Sequence, residues 1–295
     1  MLWAMARLQG RSPEVTLWKS LAGAVNTTAK DMNEQHIANS IWAVVKLATA
    51  DSCSTILLST LPTLAGRVPA VAPEMTEQAV TNVIWAVAKL ARSSAESAAL
   101  LSVLPALDSR IPAVISEMTA QAVSNMMWAT GQLSLDPSHD ALSDGLRKVL
   151  PLVVARAAVA LPTASPQQLA NSCWGLALSG YHDVALFDAV AAKVVHEAVA
   201  WQPKVAELTL PSLLCAFGRL QVAGHDDMLW VTAKKLSLMV GKVNSWGLCA
   251  LTWSYKQLDA GDQFLTFRHS LRKEVERRQL SEEDVARSRL GPESW

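Results

Sequence analysis

Phenylalanine and tyrosine are scarce in this chain, at four and two residues of 295, whereas tryptophan occurs eleven times. Cysteine is scarce as well. Cys53, Cys173, Cys215 and Cys249 show no C-x-x-C spacing, which argues against a zinc site or a disulfide framework and leaves buried, reduced thiols as the expectation. No sign of charge predominates, because Lys+Arg and Asp+Glu both number 26. The basic excess of a strongly electrostatic nucleic-acid binder is therefore missing, although a local basic stripe is compatible with a neutral total. Long apolar runs are missing too: the longest, around 149–162, is interrupted by Arg156 and falls short of the ~18 residues of a membrane span, so no membrane partner is expected. No N-terminal segment has the form of a signal peptide. Trp3 already reads as part of a repeat helix, so an N-terminus truncated within a repeat is expected.

Catalytic signatures are absent on the same reading. The histidines (36, 139, 182, 196, 225 and 269) show no H-E-x-x-H or other metal spacing, and no glycine-rich phosphate loop occurs. His225, Asp226 and Asp227 form the one tight His–carboxylate cluster, and it reads as a solvated turn between helices. The expectation is a non-enzyme with no catalytic residue, no metal ligand and no cofactor.

What the chain does have is repetition. Gln-x-x-x-Asn-x-x-Trp occurs as Gln35, Asn39, Trp42; as Gln78, Asn82, Trp85; as Gln121, Asn125, Trp128; and as Gln167, Asn171, Trp174. Weaker copies place Trp3, Cys215 and Trp253 in the Trp register. Residues 57–91 and 100–134 align without gaps and share 20 of 35 positions. A period of roughly 40 residues is that of two- or three-helix solenoid units. The expected fold is an all-α, right-handed α-solenoid of six to seven armadillo- or HEAT-like repeats over 1–258, with 259–295 as a charged capping helix and tail. Thr76 and Thr119 read as helix N-caps, and Ser281 with Asp284 as a capping box. Pro62, Pro105 and Pro151 each precede the next Trp by the same interval and are expected to kink or split the partner helices, since an interior proline removes a hydrogen bond. On the last long helix Phe264, Phe267, Leu271 and Val275 make an apolar stripe.

At 100° per residue, with Trp at zero, the Gln falls at about 20°, the Asn at about 60° and the residue four after Trp at about 40°. That last position holds Arg7, Lys46, Lys89 and Arg219. Aliphatic residues such as Val80, Val83, Ile84, Val87 and Leu90 gather on the opposite side, between about 140° and 260°. Burying that stripe against a partner helix contributes about 1.5–3 kcal/mol per large side chain. The Gln/Asn/Trp/Lys side can be a free groove. Amides there could meet base edges, cations could meet phosphate, and indoles could stack on bases. Two structural readings compete with it: tryptophans at one register as inter-repeat core, and the amides as a hydrogen-bonded ladder between repeats.

ANSIWAVVKLA (38–48), TNVIWAVAKLA (81–91), SNMMWATGQLS (124–134) and ANSCWGLALSG (170–180) resemble the Asn-x-x-Trp-Ala-x-Ala-Lys-Leu segment of octotricopeptide repeats and of the related FAST-kinase-like and RAP-associated repeat proteins. The resemblance spans roughly 1–258 and implies a helical-repeat RNA binder of mitochondria or chloroplasts, acting on transcript stability, processing or translation. The Pro-Pro-Pro-Glu-Trp signature of many octotricopeptide repeats is missing, with Ser93, Ser94, Ala95 and Glu96 near its place, and no RAP-type domain follows Leu258. On this resemblance the expected partner is single-stranded RNA. The expected RNA-binding residues are Gln35, Asn39, Lys46, Gln78, Asn82, Lys89, Gln121, Asn125, Gln167 and Asn171. The alternative is an armadillo-like protein scaffold, or a structural subunit of an organellar ribonucleoprotein with ribosomal or other protein partners, which the neutral charge favours.

Overall fold

The computed structural model describes residues 1–8, 15–50, 52–91, 97–136, 140–258 and 261–291. Ser93 to Glu96, Pro137, Ser138, His139 and the last four residues lie outside them, as does the side chain of Cys53. Among the described residues every element is helical and no strand occurs. Internal contacts divide the chain into Met1–Arg156 and Ala157–Trp295.

The first unit contains α1 (Leu2–Leu8), α2 (Val15–Thr28), α3 (Glu34–Ala50), α4 (Leu61–Val71), α5 (Glu77–Leu90), α6 (Ser97–Leu101), α7 (Leu104–Val114), α8 (Ala120–Leu133) and most of α9 (Asp140–Ala160). The Trp-bearing helices form one row, α1 against α3, α3 against α5 and α5 against α8. Each of the last three is launched in the same way. A single 3-10 turn (Ala29–Asp31, Ala72–Glu74 or Ile115–Glu117) ends on Met32, Met75 or Met118, whose backbone swings out to the extended region. A polar cap follows: Asn33 accepts from the His36 amide, Thr76 from Ala79 and Thr119 from Ala122, satisfying donors that a helix start leaves free.

The two faces lie where helical periodicity puts them. Val80, Val83, Ile84 and Val87 are fully buried, and so are Leu57, Leu61, Leu64 and Val68 of the partner segment. Gln78 and Lys89 are exposed. The stretch Ser54–Glu74 is long and apolar enough to cross a membrane by length and composition alone, a stretch that the sequence reading passed over. In this fold it packs against α2 and α3.

Pro62 and Pro105 do break the partner segment, each sitting in the first turn of its helix, α4 or α7, where a missing N–H costs nothing. Pro151 does not. It lies inside α9, which continues through it for 21 residues, and its ring is exposed on the solvent side. The expected split does not occur there; α9 runs on as one helix where its counterparts are divided.

A basic residue five after each of these prolines was not singled out by sequence. Arg110 Nε donates to the Met75 carbonyl at 2.9 Å, and Arg156 Nε to the Met118 carbonyl at 2.7 Å. Each ties a partner helix to the bend that launches the preceding Trp helix. Arg67 holds the same place, and its buried Nε finds no partner among the described residues. Arg110→Met keeps the packing of the stem but leaves the Met75 carbonyl unpaired, so we expect a loss of about 1–3 kcal/mol in urea unfolding. A change within error would reduce this contact to decoration.

On α7, burial and then the charge of Asp144 push the Asp108 carboxyl up to about 7. The folded chain therefore holds a proton that the unfolded chain has lost above about pH 4, so stability from this group is greatest at low pH and falls as pH rises through 7. Asp108→Asn should flatten the decline in melting temperature between about pH 5 and 8 and raise the melting temperature at pH 8. Parallel slopes for the two proteins would contradict it.

The second unit contains α10 (Pro166–Ser179), α11 (Val184–Glu197), α12 (Pro203–Leu220), α13 (Asp226–Ser237), α14 (Ser245–Gln257), α15 (Leu265–Arg277) and α16 (Glu282–Arg287). Its Trp-register helices again form a row, α10 against α12 and α12 against α14, with α11 against α13 as the partner layer. Phe187 and Phe217 meet edge-on at 4.8 Å, and Phe217 meets His225 at 5.4 Å. α15 covers α14 with the expected stripe, Phe264, Phe267, Leu271 and Val275 all being buried. Arg278 fastens this helix through the Val243 and Gly241 carbonyls, repeating the clamp of Arg110 and Arg156, and Glu274 holds its guanidinium from the other side at 2.7 Å. The Ser281–Asp284 capping box is formed.

Candidate docking face

In the first unit the Trp register runs from open surface at Trp3, 44% exposed, to half-buried rings further along. Trp42, Trp85 and Trp128 are all half-buried. Trp42 and Trp85 lie 6.2 Å apart between ring centroids, bridging the seam between α3 and α5. The basic residues fall over these rings: Lys46 Nζ is 4.7 Å from the Trp42 centroid, and Lys89 Nζ is 5.9 Å from that of Trp128, in the following repeat. Arg7 sits over Trp3 at 5.2 Å in the same manner. Gln35, Gln78 and Gln121 are exposed beside them, and Asn39, Asn82 and Asn125 are half-buried. Helical phase brings these groups together on one side of the row, opposite the aliphatic stripe.

Gln121 donates to Asn125 at 2.8 Å along its own helix. Gln167 and Asn171 belong to α10 in the second unit, the first exposed and the second half-buried. Chemically, the first-unit face offers flat indole surface, two ammonium groups and amide donors. It suits an occupant carrying carboxylates or free carbonyls next to apolar side chains.

In the second unit the equivalent face is covered by the chain's own end. Trp174 and Trp246 are 5% and 6% exposed, and their rings meet at 6.3 Å, edge to face. Trp246 Nε1 donates to the Ser288 carbonyl at 3.0 Å. Arg219 donates through Nε to the Ala177 carbonyl at 3.0 Å and through Nη1 to the Arg289 carbonyl at 2.8 Å. The sequence pattern points to a cap over 259–295 but not to residues 288–291 lying on Trp174 and Trp246. The available signals were Gly291 and Trp246, which stands where other repeats have Gln. Trp253 takes the Trp register of α14 and lines a cleft of about 970 Å³ between α14, α15 and α16, together with Lys256, Arg268 and Glu282. Gly218 on α12 leaves room for that indole: a Cβ there would meet it at 3.0 Å.

Cys173, Cys215 and Cys249 are free and buried, and burial pushes the Cys215 and Cys249 thiols up to about 12. They are protonated, inert packing groups rather than nucleophiles. Among the described residues no group of three or more His, Cys, Asp or Glu could hold a metal ion. Compared with known proteins, the chain matches no family model and no curated protein. The all-α, stacked-helix architecture is that of a generic helical repeat.

Proposed function

We propose that this chain is a non-catalytic helical-repeat scaffold that docks polypeptide segments on the tryptophan–lysine face of its first unit. The solenoid envisaged is right-handed, with six to seven repeats. The observation that carries the reading is the occupant of the second unit's equivalent face: a polypeptide, seated through backbone carbonyls on an indole N–H and a guanidinium. In the first unit Lys46 and Lys89 stand in the register of Arg219, and Gln35, Gln78 and Gln121 in that of Trp246, supplying cations and amide donors of the same kind. The balance of 26 basic and 26 acidic residues also favours a protein partner over a phosphate polymer.

The second reading is a single-stranded-RNA binder of mitochondria or chloroplasts. It is favoured by the repeated Asn-x-x-Trp motif and by lysines set over stacked indoles. A displayed random-peptide library selected on the full chain separates the two. The scaffold reading expects recurrent acidic, apolar-flanked peptides that quench tryptophan emission on titration. Absence of any enriched peptide, together with tight uptake of a single-stranded RNA pool, would overturn it.

A further inference from the structure

The segment from Ser281 to Gly291 is built like a ligand. After the capping box comes one short helix, α16, then a 3-10 turn (Ser288–Leu290), then Gly291. The acceptors used, the Ser288 and Arg289 carbonyls, lie at the end of this helical run, where the dipole is negative, and the Ser288 carbonyl also accepts from the Gly291 amide at 3.1 Å. Arg219 and Trp246 supply a cation and a donor for them. Gly291 completes the fit. Its φ is +104°, a conformation that side chains rarely adopt, and a Cβ there would lie 2.8 Å from the Trp174 ring. The segment shows mostly polar and exposed side chains, Glu282, Glu283, Arg287 and Arg289 among them, so little apolar burial holds it down. Its attachment combines directed bonds, the glycine contact and packing of α16 and the 3-10 turn against α14, with Ser288 buried.

We propose that the second unit carries a further docking site, made of Trp174, Arg219 and Trp246, and that residues 281–291 are its built-in, displaceable occupant. The partner it takes is a polypeptide whose short helix ends in a turn of accessible carbonyls closed by glycine, the chemistry of residues 281–291. While tethered, that end competes at a high effective concentration and keeps the site closed. The proposal rests on the polypeptide-docking reading of the tryptophan face, but it concerns different residues from Lys46 and Lys89, so the two can fail separately.

Gly291→Val in the full chain tests it, because the substitution alters the occupant and leaves the site intact. Hydrogen exchange of the 282–290 amides should accelerate by at least about tenfold, while α10, α12 and α14 keep their protection. A synthetic peptide of residues 279–291 should bind the Gly291→Val chain at least about tenfold more tightly than the unaltered chain. Adding Trp246→Phe, which keeps the ring but removes the N–H, should weaken that binding. Unchanged exchange over 282–290 would overturn the proposal, as would equal or absent peptide binding in the two chains. Collective loss of protection across α10, α12 and α14 would also overturn it, by making the segment part of the core. If the peptide fails here while peptides dependent on Lys46 and Lys89 still bind, the first-unit reading stands alone.

Discussion

Phe217→Ala should lower the unfolding free energy of the second unit by about 3–5 kcal/mol, the largest stability change expected of any single truncation here. Phe217 is fully buried on α12, the helix that touches both neighbours in the Trp row. Its ring meets Phe187 on one side and His225 on the other, so truncation leaves a cavity bounded by two rigid rings and removes two edge-to-face contacts. The surrounding helices are held by carbonyl clamps such as Lys235 Nζ to Val199 at 2.7 Å, which limits collapse into the hole. Urea unfolding followed by far-ultraviolet circular dichroism gives the value. A loss below about 1.5 kcal/mol would mean that the layer relaxes freely around the site.

Lys46→Ala combined with Lys89→Ala should abolish most peptide binding, by about tenfold or more, with a fall in melting temperature of only a few degrees. Both ammonium groups stand over indoles, and each such contact contributes about 0.5–1 kcal/mol at an exposed site. Lys89 is exposed and Lys46 half-buried, and neither side chain closes a core contact. Loss of binding with a melt lowered by only a few degrees assigns the lysines to the ligand. A large fall in melting temperature would assign them to the seam between repeats.

Much of this architecture is legible in the sequence because each repeat obeys one period. The 3.6-residue phase of Val80, Val83, Val87 and Leu90 fixes the buried side of α5, and Thr76 fixes its start. The caps and the C-terminal stripe are local signals of the same sort. What periodicity does not carry is contact between residues far apart in the chain. Arg110 to Met75 spans 35 residues and Trp246 to Ser288 spans 42, and neither has a local signature. Pro151 shows the limit from the other side: the same residue at the same register splits two partner segments and leaves the third whole. The Trp register itself is not uniform: Trp3 is exposed, Trp42, Trp85, Trp128 and Trp253 are half-buried, and Trp174 is covered by residues 288–291, a difference that the repeat does not encode.

The claim that the first-unit face docks polypeptide is tested most directly by competition on the full chain. A selected acidic peptide and a single-stranded RNA pool are titrated against each other at two salt concentrations, with the Lys46→Ala, Lys89→Ala chain in parallel. The account expects peptide to bind the unaltered chain, to be lost in the double variant, and to resist displacement by RNA at both salts. RNA that displaces the peptide and binds with a steep negative salt slope, lowered by about 0.7 for each lysine removed, would contradict it.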